Sequence, residues 1–345
     1  MRAETLLPLG KLDPGLRAPA VSLDLASIDQ QAQVAERCGY HALLMEETKD
    51  DPFQVLALAA QATQDLHVGT SVAIAFARSP FVVAQAAWTA QKISGGRFEL
   101  GLGSQVRGHI RRRFGLEWHP PGPWMRDYVG AVRAIWHSWQ TETALDYASE
   151  RYNLNLNVPL FTPAPIEHPH IPIQVAAVNP HMAGVAAEVA DGVRLHPVCS
   201  PQYIDDVLLP AMADQRSDAF EVCLKPLIAT APNSKLLAER VQIARQRLAF
   251  YCSTPAYAGA FEIFGRQELC AEMAQLSKAG RWRELEQKVD DELLHACVVI
   301  ATYDDLADEI LRRYRHKIQR IEVSIPLEQP GDVEVLQHVI QQLDR

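Results

Sequence analysis

Cysteine is scarce and unpatterned in this chain. The six cysteines (Cys38, Cys199, Cys223, Cys252, Cys270 and Cys297) form no C-x-x-C pair and keep no regular spacing. This excludes a disulfide framework and a cysteine-based zinc module, and leaves reduced, mostly buried thiols. No stretch approaches the roughly 20 apolar residues of a membrane span, and the start "MRAETLLPLGKLDPG" lacks the apolar run of a signal peptide. The expectation is a cytoplasmic protein that contacts no membrane. A basic excess is also missing. The formal net charge of −9 argues against a broad surface for nucleic acid, although a local basic cluster could still meet one anionic ligand. Internal repeats and low-complexity tracts are absent, which excludes a solenoid. What is present is an ordinary globular composition, 48% hydrophobic and 22% charged over 345 residues. That length suits either two domains or one α/β barrel with additions.

Strand-like and helix-like segments alternate along the chain. A strand near "AETLLPL" is followed by Ser27 and Gln30 at capping-box spacing before a helix that Gly39 can close. "YHALLME" reads as a buried strand. Asp51-Pro52 and Ser79-Pro80 each place a cap before a first-turn proline, and Asn179-Pro180 does so again. "LHVGTSVAIA", "RFELGLG", "IPIQVAAV", "DGVRLHPV", "FEVCLKPLIAT" and "IQRIEVSIP" supply the remaining strands, and Tyr128, Val132, Ile135 and Trp139 share one face of a long helix. About eight strands, each followed by a helix, predict a (β/α)8 TIM barrel rather than an open sheet. The surplus falls around residues 141–170, where "RYNLNLNVPL" suggests a hairpin, and around 230–300, where several helices lie between the seventh and eighth strands. The whole of 1–345 reads as a single domain with insertions.

Barrel enzymes carry their sites at the C-terminal ends of the strands. The filter selects Glu46, Glu47 and Thr48 after the second strand, Thr70, Ser71 and Val72 in the third, Gly101, Gly103, Ser104 and Gln105 at the fourth, Ala176, Ala177, Val178 and Asn179 at the fifth, and His196 at the sixth. "GLGSQV" is no dinucleotide fingerprint, because Val106 stands where the third glycine belongs. Gly101 and Gly103 could instead let a flat ring or a phosphate approach the backbone, or could simply make a tight turn. Beyond them lie Arg107, Arg111, Arg112 and Arg113, which either face an anion or form a solvated face. His109 and His196 are candidates for proton transfer and Glu47 for acid or base work. His168 and His170 flank Pro169 in a loop and read as structural rather than metal-binding.

The segments "GYHALLMEETKDDPF", "VGTSVAIAFARSP", "SGGRFELGLGSQV", "RRRFGLEW", "YVGAVRAIW", "AAVNP", "VADGV" and "AFYCSTPAY", in this order, resemble the bacterial luciferase-like monooxygenases, in particular the branch of coenzyme F420-dependent (deazaflavin) oxidoreductases. The resemblance implies a flavin-type ring in the barrel mouth, a cis peptide joining Ser71 to Val72, ring or ribityl contacts from Ser104 and Gln105, a phosphate at the helix start after Ala176–Asn179, and a homodimer. It also exposes departures. Where the sugar-phosphate dehydrogenases of this branch have an Asp-His pair, this chain has Glu47 and Thr48, and Val106 falls where they have a later glutamate. The implied activity is hydride transfer between F420 and a small organic substrate. The alternatives are an FMNH2-dependent monooxygenase, with FMN as cofactor, and a non-catalytic flavin-binding protein. No metal is expected.

Overall fold

A computed structural model of the protein describes residues 1–11 and 22–345. Eight strands, β1 (Arg2–Leu6), β2 (Ala42–Met45), β3 (His67–Thr70), β4 (Phe98–Gly103), β5 (Ile173–Ala177), β6 (Gly192–Leu195), β7 (Glu221–Leu224) and β8 (Arg320–Glu322), pair in parallel in chain order. The ring closes where β1 pairs with β8, and every other neighbouring pair, β3 with β4 included, is hydrogen-bonded. This is the expected (β/α)8 barrel.

Three helix starts form as their sequences dictate. Asp51 accepts from the Phe53 amide at 3.0 Å, Ser79 from Val82 at 3.2 Å and Asn179 from Met182 at 2.9 Å, each with proline at the first helical position. Gly39 closes the helix Ile28–Cys38 with φ of 87°, a conformation that favours glycine. The expected Ser27 capping box does not form. Asp24 takes the capping role one turn earlier, accepting from the Ala26 amide, and the Ser27 hydroxyl donates to the Asp24 carbonyl.

The seventh strand is also shorter than the apolar run implies. It stops at Leu224, two residues before Pro226, and the continuation Leu227–Ala231 leaves the barrel to pair in parallel with Val298–Thr302. Proline has no N–H to give a ladder, so the break falls there. Helices Ser234–Cys252, Gln267–Lys278, Trp282–Gln287 and Asp291–Cys297 fill the insertion between these two outer strands. In the earlier insertion the hairpin pairs Tyr147–Ala148 with Asn153–Leu154, so it starts before the predicted segment. The rest of that segment exposes Leu156, Leu160 and Phe161.

Along each barrel strand the side chains alternate. Phe98, Leu100 and Leu102, or Ile321 and Val323, join the core between sheet and helices. The intervening positions turn into the barrel, where they are polar or small. At the N-terminal half Glu4 meets Arg194 (3.0 and 3.2 Å) and Arg320 (3.0 Å), and Arg320 continues to Glu99 and Glu221. Burial alone would raise Glu99, but His67 and Arg320 beside it hold its carboxyl well below the usual range. The N-terminal half of the barrel is therefore plugged by ions.

Candidate functional site

The mouth is built where the strands end. After β3 the Ser71–Val72 peptide is cis, as the family resemblance implies. Gly101 and Gly103 border it, but they do not present bare backbone to a ligand. A Cβ on Gly101 would lie 2.0 Å from the Thr70 carbonyl oxygen, and one on Gly103 would lie 2.5 Å from Val72 Cγ2. Their missing side chains admit the β3 loop, so the expectation of a ring resting on these glycines is corrected: the space is taken by protein. Thr70, 1% exposed, spends its hydroxyl on β4, donating to the Gly101 carbonyl at 2.7 Å and accepting from its amide at 2.9 Å. Ser71 and Val72, both half-buried, are what this loop shows to the mouth.

Glu47 holds the far side of the same loop. Its carboxylate takes the Ile74 amide at 2.7 Å and pairs with Arg78 at 2.6 Å, while Arg78 also reaches Asp51 at 2.9 Å. Glu47 ties β2 to the segment after β3. Against the cost of burial, which pulls it down, Glu47 and Asp51 push the Arg78 guanidinium up. Thr48 is exposed, and its carbonyl accepts from Arg113 at 3.2 Å, which assigns one arginine of the basic run to the protein itself. Arg107, Arg111 and Arg112 are exposed on the short helix Arg107–Arg112, as is His109.

Across the mouth stands an ionic chain that sequence reasoning did not assemble. Glu46 receives Lys11 at 3.1 Å and Lys225 at 3.1 Å, and Lys225 extends to Glu322 at 3.4 Å. Burial works to raise Glu46, yet the two ammonium groups prevail and lower it to about 2. Lys225 sits beyond the end of β7, just before the proline break, so it could not be placed until that break was seen. Ser324, past β8, keeps a buried hydroxyl without a hydrogen-bond partner among the described residues, beside this chain. A ligand hydrogen bond would satisfy it.

His196 follows β6. Its Nδ1 accepts from the Val198 amide at 3.3 Å, which leaves the proton on Nε2. Burial foremost, then Lys225 and Arg247, lower its pKa to about 3, so the ring is neutral at ordinary pH. Tyr251 and Tyr257 pack on it at ring-centroid distances of 4.9 and 4.3 Å. Both tyrosines lie in "AFYCSTPAY", and Arg78 lies in "VGTSVAIAFARSP", so those two segments held the signal for residues the strand-end filter passed over. A further wall comes from Phe76 stacked on Trp124 at 3.9 Å, with Trp124 donating to the Tyr152 hydroxyl at 2.8 Å.

At the remaining strand ends the Gln105 backbone is left-handed (φ 54°) and its side-chain oxygen accepts from the Val106 amide at 2.8 Å, leaving Nε2 and the half-buried Ser104 as polar groups. Ala176 and Val178 are half-buried and Ala177 is buried. The helix start Pro180–Val189 is less open than a run of free amides. Pro180 has none, Met182 is capped by Asn179 Oδ1, and Ala183 donates to the Asn179 carbonyl. Among the described residues this leaves the His181 amide as the open donor there. A flavin-type ring fits the mouth in kind: a half-buried platform at Ser71–Val72, polar groups from Ser104 and Gln105, and one helix-end donor.

The sequence profile described as luciferase-like monooxygenase matches residues 6–319. An uncharacterized protein of Mycobacterium tuberculosis (strain H37Rv) is 38% identical over 303 residues, covering 86% of this chain and 89% of the relative. A second protein of that strain, provisionally named a coenzyme F420-dependent oxidoreductase, is 26% identical over 297 residues, covering 80% and 84%. The solved coenzyme F420-dependent tetrahydromethanopterin reductase from Methanopyrus kandleri superposes with a TM-score of 0.75 over 99% of this chain and 98% of that one. At 18% identity, that likeness is one of fold.

Proposed function

This chain belongs to the luciferase-like monooxygenase family, and from that premise we propose an oxidoreductase that moves a hydride between coenzyme F420 and a small organic substrate. The observation that carries the proposal is the state of the ionisable groups in the mouth. Glu46 and Glu47 are both committed to ion pairs, and His196 is neutral with its proton on Nε2. The mouth therefore offers hydrogen-bond donors rather than a poised general base. That suits a reaction between cofactor and substrate carbon in which the protein positions the partners.

The deazaflavin, when bound, supplies the hydride donor or acceptor. Around it this chain's residues take distinct parts. Ser71 and Val72 support the ring face, with Gly101, Gly103 and Thr70 acting one layer behind and Glu47 fixing the loop through Arg78. Ser104 and Gln105 hydrogen-bond the ring or its side chain. Ala176 to Asn179 lead the anionic end toward the His181 amide, and Thr48 lies at the rim. His196 would hold a substrate oxygen through Nε2–H and keep its own proton, and the proton that accompanies the hydride would be exchanged with water. His109, exposed on its short helix, is assigned no part in the transfer.

The competing proposal is an FMNH2-dependent monooxygenase, which the family's own description supports. Titrating the purified protein with F420 and with FMN, followed by absorbance, decides between them. Saturable F420 binding with weak FMN binding is expected. The reverse order would transfer the proposal to FMN chemistry, and binding of neither would remove the enzymatic reading.

A further inference from the structure

At the opposite end of the barrel, His41 precedes β2, His67 opens β3 and Glu99 is the second residue of β4. Strand pairing brings these three together. His67 Nδ1 lies 3.0 Å and His41 Nε2 lies 3.8 Å from the same carboxylate oxygen, Glu99 Oε1. The three ligand-type atoms all fall within 4.8 Å of one another, and the two imidazole rings sit 4.6 Å apart.

Two imidazoles on one carboxylate oxygen could be no more than an ion pair. Two details favour a cation. His67 Nδ1 is buried and, among the described residues, makes no hydrogen bond of acceptable geometry although it lies 3.0 Å from Oε1, so a bond to a cation there would displace no well-formed hydrogen bond. The second oxygen of Glu99 is held by Arg320. A carboxylate ligand is commonly oriented in this way, with one oxygen bound by the protein and the other left for the metal. Ligand atoms of a tetrahedral zinc ion stand about 3.3 Å apart, given bonds of roughly 2.0–2.2 Å. The observed spacings bracket that value, so small side-chain rotations would complete the set.

The geometry points to a divalent transition-metal site, best matched to Zn2+, formed by His41 Nε2, His67 Nδ1 and Glu99 Oε1 at the N-terminal end of the barrel. Nitrogen and oxygen donors in a three-ligand set with partial solvent access leave a fourth position for water. Two guanidinium groups oppose it, Arg320 on the other Glu99 oxygen and Arg2. Arg2 Nη1 lies 3.2 Å from His41 Nε2 and occupies the side from which the metal must be met. Arg2 is partly exposed and also pairs with Glu221, so it can release His41 and keep a partner. The site lies away from the mouth, and its occupancy is structural rather than chemical.

Isothermal titration of Zn2+ into the full-length protein tests this, with thermal melting in parallel. One saturable equivalent and a rise in Tm are expected, with the heat lost in both His41→Gln and His67→Gln and retained in His168→Gln. Circular dichroism establishes that each variant is folded, and if one is not, the other carries the test. No binding at one equivalent, or binding unchanged in the folded His41 or His67 variant, would overturn the assignment. Removing Arg2 as Arg2→Ala should tighten Zn2+ binding, and weaker binding in that variant would count against the proposed position. Cofactor affinity at the mouth is expected to be unaltered in all of these variants.

Discussion

The two ends of this barrel both bury carboxylates against cations, yet they do so with different parts of the chain. At the N-terminal end the partners are strand residues. Glu4, Glu99, Arg194 and Arg320 project from β1, β4, β6 and β8 and lock strand to strand. At the C-terminal end the cations come from segments beyond the strands: Lys11 after β1, Arg78 after β3 and Lys225 after β7. The lower network is fixed by the barrel's own register. The upper one is fixed by loops, so it can differ from one chain to another without disturbing the barrel. A loop network can be reshaped around a binding site, whereas a strand network is tied to the scaffold it holds.

This contrast can be broken most directly by removing one cation from each end. Arg320→Met leaves Glu4, Glu99 and Glu221 without a shared partner, and breaking a buried pair in this way costs about 3–5 kcal/mol. Lys225→Met leaves Glu46 with Lys11 and is expected to cost about 1 kcal/mol, as a partly exposed pair does. Urea unfolding of both proteins provides the comparison. Equal losses would mean that the two networks are not different in kind.

Next in size is Gly101→Ala. A Cβ there meets the Thr70 carbonyl, which is backbone and cannot turn aside, whereas at Gly103 it meets the end of the Val72 side chain. Forcing β3 from β4 should cost about 1–3 kcal/mol and weaken cofactor binding as Ser71 and Val72 shift. Gly103→Ala should cost less stability and still lower cofactor affinity by displacing Val72. Denaturant midpoints together with cofactor titrations separate the two effects. An unchanged affinity in both variants would remove the loop from the cofactor site.

These positions also show what was legible beforehand. The eight-strand count and the three capped proline starts could be read because they depend on local pattern, whereas the cis peptide at Ser71–Val72 came only from the family resemblance. The ion plug was written in the alternation of "RIEVS", "GVRLH" and "RFELG", and went unread because its charges gain meaning only when the ring closes. The mouth was half legible. Strand ends named Glu46, Glu47 and His196, but their partners Lys11, Arg78, Lys225, Tyr251 and Tyr257 lie on loops and in an insertion, where spacing carries no periodic signal. The glycines were located correctly and assigned the wrong neighbour, since sequence cannot tell whether a missing Cβ makes room for a ligand or for the next strand.

A third effect concerns pH. His196 falls to about 3 from its ordinary 6.5, so below pH 6.5 the unfolded chain binds a proton that the folded chain refuses. Stability is therefore lost as pH falls from 6.5 toward 3, by about 2 kcal/mol at pH 5. Glu46, lowered to about 2 from 4.5, contributes stability above pH 4.5 that is lost as pH falls through 2. Both groups belong to the mouth, but burial lowers His41 at the opposite end in the same direction, to about 4, so acid should loosen both ends and a single substitution is needed to isolate the mouth's share. Replacing the imidazole in His196→Asn should flatten the dependence between pH 7 and 5, measured as urea midpoints. A slope identical to that of the unaltered protein would show that His196 is not the group responsible.

The smallest effect sharpens the comparison at a single helix end. Asn179 accepts from the Met182 amide at 2.9 Å, and Asn179→Ala should cost about 1 kcal/mol as a lost cap. The same substitution frees the Met182 amide beside that of His181, which gives an anionic cofactor group a second donor at the positive end of the helix. Stability and affinity are therefore expected to move in opposite directions: a lower denaturation midpoint, with cofactor binding kept or slightly tightened. If instead both fall together, the Asn179 side chain itself touches the cofactor. If stability falls while affinity for the intact cofactor and for a phosphate-free analogue changes equally, the anionic end lies elsewhere on the mouth, and the exposed Arg107, Arg111 and Arg112 become the next residues to substitute.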